Sequence, residues 1–346
     1  MNFKRWIIYL AVFTIAFSGG AFLSNSNAQD KDVIVLKYAN FPPATTFPCV
    51  QMERWAKEVE KRTKSKVKIQ TFPGGTLLPA KNIFDGVKSG MADIGNFAMS
   101  YQPGRFPISE AVDLPIGFAN ARVASLVLLD LIEKYKAKEF ADVKIITLFT
   151  CPPASLMTSK PVKSLKDLKG MEIRVSGTSV DVLKNLGGSP IAMPQSDTPE
   201  ALQKGVVKGS FSSLEVLKDF NYAAYTPYVT VLNLQVVSFA VVMNKAKWES
   251  LPADVKKAID GLVREQAEWT GNYVDNHVKE ALTWSKGKYK DFQIFNLPKA
   301  EVAQIPTLMK PIIDAYIKKA NGLGLPGEQI FKDINQLKAK YEKKYK

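Results

Sequence analysis

The chain has 346 residues, 46% of them hydrophobic, and carries 47 Lys+Arg against 33 Asp+Glu, a net charge of +14. That length and balance suit two ordinary globular domains and exclude a disordered or collagen-like chain and a polytopic membrane protein. Two cysteines and one histidine exclude a disulfide-built scaffold, a multi-cysteine metal cluster and a two-histidine zinc site, and leave little room for histidine-based catalysis.

Residues 1–28 read as a targeting signal. Lys4 and Arg5 are followed by an apolar run from Trp6 to Phe17, and Ser26-Asn27-Ala28 places small residues where a signal peptidase cuts. The mature chain is expected to begin at Gln29, to be exported to the periplasm and not to be embedded in the membrane. Export puts Cys49 and Cys151 in an oxidising compartment; whether they pair stays open, because spacing cannot bring their Cα atoms together.

VIVLKYAN (33–40) predicts a first strand, stopped at Phe41-Pro42-Pro43. Helical spacing follows over 47–63, then a strand over 67–75 and a short helix over 80–90. Strands are expected at 91–97 and 143–150, a short helix and strand within 164–177, helices at 178–186 and 198–204, and two apolar strands within 229–244. Alternation of this kind predicts an α/β fold with mainly parallel strands. From Pro252 to about Lys288 apolar residues recur at helical spacing, predicting one long amphipathic helix that Gly271 could bend. Further helices are expected over 299–320 and 327–345. The lysines are interleaved with acids or aromatics, as in EVEKRTKSKVK (58–68), so the basic excess reads as solvated surface and no nucleic-acid partner is expected.

Most apparent chemistry dissolves on inspection. Gly322-Leu-Gly324-Leu-Pro-Gly327 matches G-x-G-x-x-G, but it follows a helix and contains Pro326, so it reads as a helix end and loop. P-loop and G-x-S-x-G motifs are lacking. His277 falls mid-helix and reads as a surface or half-buried position. Asp181 and Asp197 have no spacing that suggests acid–base work.

Arg174 is different. In M-E-I-R-V-S-G it stands among apolar neighbours at the end of a predicted strand, and arginine is seldom buried unpaired. A guanidinium there can hold a carboxylate with two parallel hydrogen bonds. A structural salt bridge to a protein acid fits the spacing equally. Around the same crevice the loops place Phe41, Thr45, Thr46 and Phe47 after the first strand, Asn96, Phe97 and Tyr101 after the third, and Phe211. Aromatics there would stack on a ring or apolar tail; Phe47 and Phe97 read as core.

Here the sequence resembles a known family. DLKGMEIRVSG (167–177), LGGSPIAMP (186–194) and EALQKGVVKG (200–209) look like the signature region of the periplasmic solute-binding subunits of TRAP transporters, of the DctP-like family. YQPGRFPISEAVDLPIGF (101–118), VVMNKAKWESLPADVKKAI (241–259) and KSGMADIG (88–95) resemble further motifs of that family, in the same order. The resemblance implies a two-lobe α/β periplasmic binding protein, class II-like, with hinge strands and a long helix spanning both lobes. Residues 29–150 would form mainly the first lobe and 151–240 mainly the second. Residues 241–346 would supply a hinge-crossing strand, the long helix and C-terminal helices to both.

It further implies that the protein is no enzyme and needs no cofactor or metal. It would be a monomer that binds an organic acid and delivers it to small and large TRAP membrane subunits. Arg174 matches the family's carboxylate-pairing arginine. Gln195 falls at a ligand-facing position, and Ser212 where the family often has an asparagine. The segment KGSFSS (208–213) departs from the family's D-G-x-E-N/x-P run at Lys208, Phe211 and Ser213. CPPASLMTSK (151–160) has no second arginine, which favours a monocarboxylate with an apolar or aromatic body. Two other readings compete: a ligand-sensing subunit of a receptor kinase, and an exported α/β hydrolase.

Overall fold

The computed structural model describes residues 33–345; the targeting signal and its cleavage site lie outside them. Among the described residues eleven strands form two mixed sheets. In the first, β1 (Ile34–Asn40) pairs in parallel with β2 (Val67–Phe72) and β3 (Ile94–Ala98). β4 (Val143–Thr150) enters this sheet only through β10 (Ser238–Asn244), which runs antiparallel to both β3 and β4. The second sheet has the order β11-β9-β5-β8-β6-β7, with β5 (Ser155–Thr158), β6 (Glu172–Val175), β7 (Ser189–Ala192), β8 (Gly209–Ser212), β9 (Tyr228–Val231) and β11 (Gln293–Asn296). β5 is antiparallel to β8 and β9. The strands are therefore mixed rather than mainly parallel, because β5 and β10, the first strands after each passage between sheets, arrive reversed.

The chain passes from the first sheet to the second at 151–154, returns at 232–237, and passes again along the helix Val263–Lys288. The two strand-like passages are bonded to each other: Cys151 N donates to Val237 O at 3.0 Å and Ala154 N to Gln235 O at 2.7 Å. This short ladder connects the two sheet-centred bodies.

The long helix expected from Pro252 is two: Ala253–Asp260 and Val263–Lys288, broken at Gly261-Leu262. Gly271 lies inside the second. It lets the helix press on another, Ala121–Tyr135: a Cβ at Gly271 would lie 2.5 Å from Arg122 Cα. One turn on, the Asp275 carboxylate accepts from Ala121 N at 2.8 Å and Arg122 N at 3.0 Å, capping that helix from outside. The helices Lys299–Gly322 and Gly327–Lys344 complete the chain. Among the described residues no helix is long and apolar enough to cross a membrane.

Candidate functional site

The two bodies face each other across a cleft lined by side chains from both. Its first-sheet wall is aromatic. The loop after β1 brings Phe41 and Phe47 against Phe239 of β10, with ring centroids 6.4 and 6.1 Å apart, and Tyr101 meets Phe41 edge-on at 5.5 Å. That loop is held from behind. Asn96 Nδ2 donates to Asn40 Oδ1 at 2.9 Å, and Asn40 Nδ2 donates to Pro48 O at 2.8 Å. Thr46 sits at the start of the helix Phe47–Arg62.

The second-sheet wall is polar. Arg174 on β6 is 2% exposed. Its Nε and Nη2 both donate to Met193 O, at 3.0 and 2.7 Å. That acceptor comes from the residue after β7, whose register on β6 sets Ile191 opposite Arg174. The guanidinium plane is thus fixed by a neutral carbonyl, and among the described residues no protein acid supplies the charge-compensating partner of the salt-bridge reading. Beside it lies Gln195, whose backbone N donates to Tyr101 Oη at 2.9 Å across the cleft. Burial raises the Tyr101 phenol's pKa, and the nearby Arg174 charge works against that shift.

Further along this wall Ser213 Oγ donates to Glu215 Oε1 at 2.6 Å. Glu215 is 2% exposed, and burial pushes its pKa up to about 7. Asp219 then reaches both bodies. Its Oδ1 meets His277 Nε2 at 2.6 Å, and its Oδ2 accepts from Phe47 N at 3.2 Å. Further contacts join the walls. Ser100 Oγ lies 2.8 Å from Ser176 Oγ, and a Cβ at Gly177 would come within 2.4 Å of Ser100 O, so only glycine allows that approach.

The expected site residues divide. Phe41, Thr46, Tyr101, Arg174, Gln195 and Ser212 all line the cleft. Asn96 does not: fully buried in β3, it braces Asn40. Phe211 does not either. β8 alternates, so Phe211 points into the apolar core of the second body with Leu156 and Ile173 while Ser212 faces the cleft. Phe47, read as core, lines the cleft as well, whereas Phe97 packs on Phe84 and Phe106. His277, read as a surface or half-buried position, is 6% exposed and hydrogen-bonded to Asp219. Cys49 and Cys151 are both buried and free, Cys151 in the cleft lining. The sequence reading missed Glu215 and Asp219, whose four-residue spacing just beyond β8 is the signal that puts both on one helical face.

The DctP family model, described as bacterial extracellular solute-binding protein, family 7, matches residues 39–319. The chain belongs to this family, among the TRAP periplasmic solute-binding subunits. A TRAP periplasmic solute-binding protein from Desulfovibrio salexigens, an open complex with the C-terminus of a symmetry mate in its ligand site, is 51% identical. It aligns over 90% of this chain and 98% of its own with a TM-score of 0.81. A marine metagenome TRAP protein specific for aromatic acid ligands, bound to metahydroxyphenylacetate, is 28% identical with a TM-score of 0.85, covering 89% of this chain and 99% of its own. A Rhodoferax ferrireducens TRAP protein with copurified benzoate is 25% identical, again with a TM-score of 0.85, covering 90% and 99%. The two-sheet architecture of this solute-binding protein is the two-lobe α/β fold of these relatives.

Proposed function

We propose that this TRAP solute-binding protein captures an organic monocarboxylate with an aromatic or apolar body and delivers it to TRAP membrane subunits. The observation that carries the reading is Arg174. It is a buried guanidinium anchored by a carbonyl, with no carboxylate among its hydrogen-bond partners, in a cleft whose facing wall is Phe41, Phe47, Tyr101 and Phe239. A ligand carboxylate supplies the missing charge, and the rings cover an apolar body. Relatives that bind an aromatic acid and benzoate support the same class. Ser212 and Gln195 border the carboxylate end.

The two sheet-centred bodies serve as the closing lobes, and the ladder between 151–154 and 232–237 as their hinge. Closure buries the acid and creates the surface that the membrane subunits read. The protein acts as a monomer in the periplasm after cleavage behind Ala28.

Mass spectrometry of ligand retained through purification, followed by calorimetry with mono-, di- and aromatic carboxylates, tests the reading. Monocarboxylates with a ring should bind at a 1:1 ratio and shrink the radius of gyration in solution scattering. Tight binding confined to neutral sugars or dicarboxylates would overturn it.

A further inference from the structure

Two residues that line the cleft each carry a buried polar atom without a partner among the described residues: Glu215 Oε2 and Gln195 Nε2. One is a carboxyl oxygen and the other a donor. Buried polar groups are rarely left unpaired, and those that line a ligand cleft are completed by what binds there. A plain carboxylate on an apolar ring answers only part of this demand. Its oxygens accept from Arg174 and Gln195, but nothing on it donates to Glu215.

The surroundings of Glu215 narrow the chemistry. Its Oε1 is already occupied by Ser213 Oγ at 2.6 Å. The next acid, Asp219, is committed to His277 Nε2 and Phe47 N. Cys151 Sγ accepts from Val237 N at 3.2 Å, and burial holds its thiol protonated. Oε2 is therefore the open valence of this end of the cleft.

We propose that Glu215 sets ligand specificity: the acid held at Arg174 carries a hydroxyl group as well as its carboxylate, and that hydroxyl pairs with Glu215 Oε2. This rests on the carboxylate reading given above and extends it to a hydroxy acid. Burial pushes the Glu215 pKa up to about 7. A hydroxyl donates to the ionised form and accepts from the protonated one, whereas an ammonium group suits only the ionised form. A hydroxyl also introduces no net charge into a cleft where the ligand carboxylate already answers Arg174.

Calorimetry on the purified full-length mature protein, with benzoate and its 2-, 3- and 4-hydroxy isomers, decides the point. At least one isomer should bind about ten- to a hundredfold more tightly than benzoate, the range expected for a hydrogen bond to an ionisable group. In Glu215→Leu, which removes the acceptor at similar size, that ratio should fall to about one, whatever happens to benzoate itself. Glu215→Gln, which keeps an acceptor, should retain part of it and guards against a Leu variant that folds poorly. Benzoate binding with no isomer preferred, or a preference that survives Glu215→Leu, overturns the Glu215 assignment alone. Failure of all four acids to bind overturns the carboxylate reading with it.

Discussion

Arg174→Lys is the sharpest perturbation of the cleft. In the structure the guanidinium spends Nε and Nη2 on Met193 O, at 3.0 and 2.7 Å, and this pins the plane so that its remaining N–H groups keep one direction. An ammonium on a four-carbon stem cannot hold a carbonyl and a carboxylate with the same geometry. If the ligand carboxylate takes the free edge, the substitution should weaken binding by about 2–4 kcal/mol, the range for loosening a buried charge pair, which is about thirty- to a thousandfold. The apo protein should also lose some stability, because Met193 O keeps at most one donor, at a cost of about 1 kcal/mol. Calorimetry gives the first quantity and urea unfolding without ligand the second. At a hundred times its Kd an acid should stabilise the wild type by about 2.7 kcal/mol and the variant scarcely at all at the same concentration. Affinities within threefold of each other, with the whole loss in apo stability, would reduce Arg174 to a brace for the β6–β7 edge.

Two further outcomes follow from the packing. Gly271→Ala puts a methyl 2.5 Å from Arg122 Cα and 2.7 Å from Arg122 N, which are backbone atoms that cannot step aside; urea unfolding should show a loss of about 1–3 kcal/mol despite the better helix propensity of alanine. The Asp219 hydrogen bond raises the His277 pKa above its ordinary 6.5, with Glu280 adding to the shift and burial and Lys218 opposing it. A raised folded-state pKa means that the stabilisation is complete below about pH 6.5 and fades as pH rises through the folded value. Thermal melts of wild type and His277→Gln from pH 5.5 to 8.5 should therefore converge toward alkaline pH; a gap that stays constant would show that the pair stabilises by shape alone.

Arg174 was legible in the sequence because a charged residue inside an apolar strand end is a chemical anomaly that needs no tertiary information. Its anchor was not: Met193 O reaches it only through the parallel register of β6 on β7, which no local pattern encodes. Asn96 was misplaced for a related reason. All five residues of β3 are buried, so alternation gives no sign of which face meets the cleft. For β8 the sign was present, since Phe211 and Ser212 are adjacent in one strand and cannot share a face. The helix Ala121–Tyr135 escaped because Val123 to Leu129 are buried without interruption, so its first turns show no alternation of apolar and polar residues. The break at Gly261-Leu262 is equally silent, since both segments keep helical spacing.

The contact between Asp219 Oδ2 and Phe47 N has a consequence of its own. Phe47 opens the helix Phe47–Arg62, and Thr46, at its N-cap, gives it no side-chain hydrogen bond. The helix thus borrows its cap from the opposite lobe, and the borrowed charge sits at the positive end of the helix dipole. Parting the lobes would return this amide to water and leave the first turn without that acceptor. A single backbone proton therefore reports the state of the whole molecule: its exchange with deuterium would be slow while the jaws are shut and fast once they gape. Labelled at Phe47, the protein carries a built-in gauge of the fraction of time it spends agape.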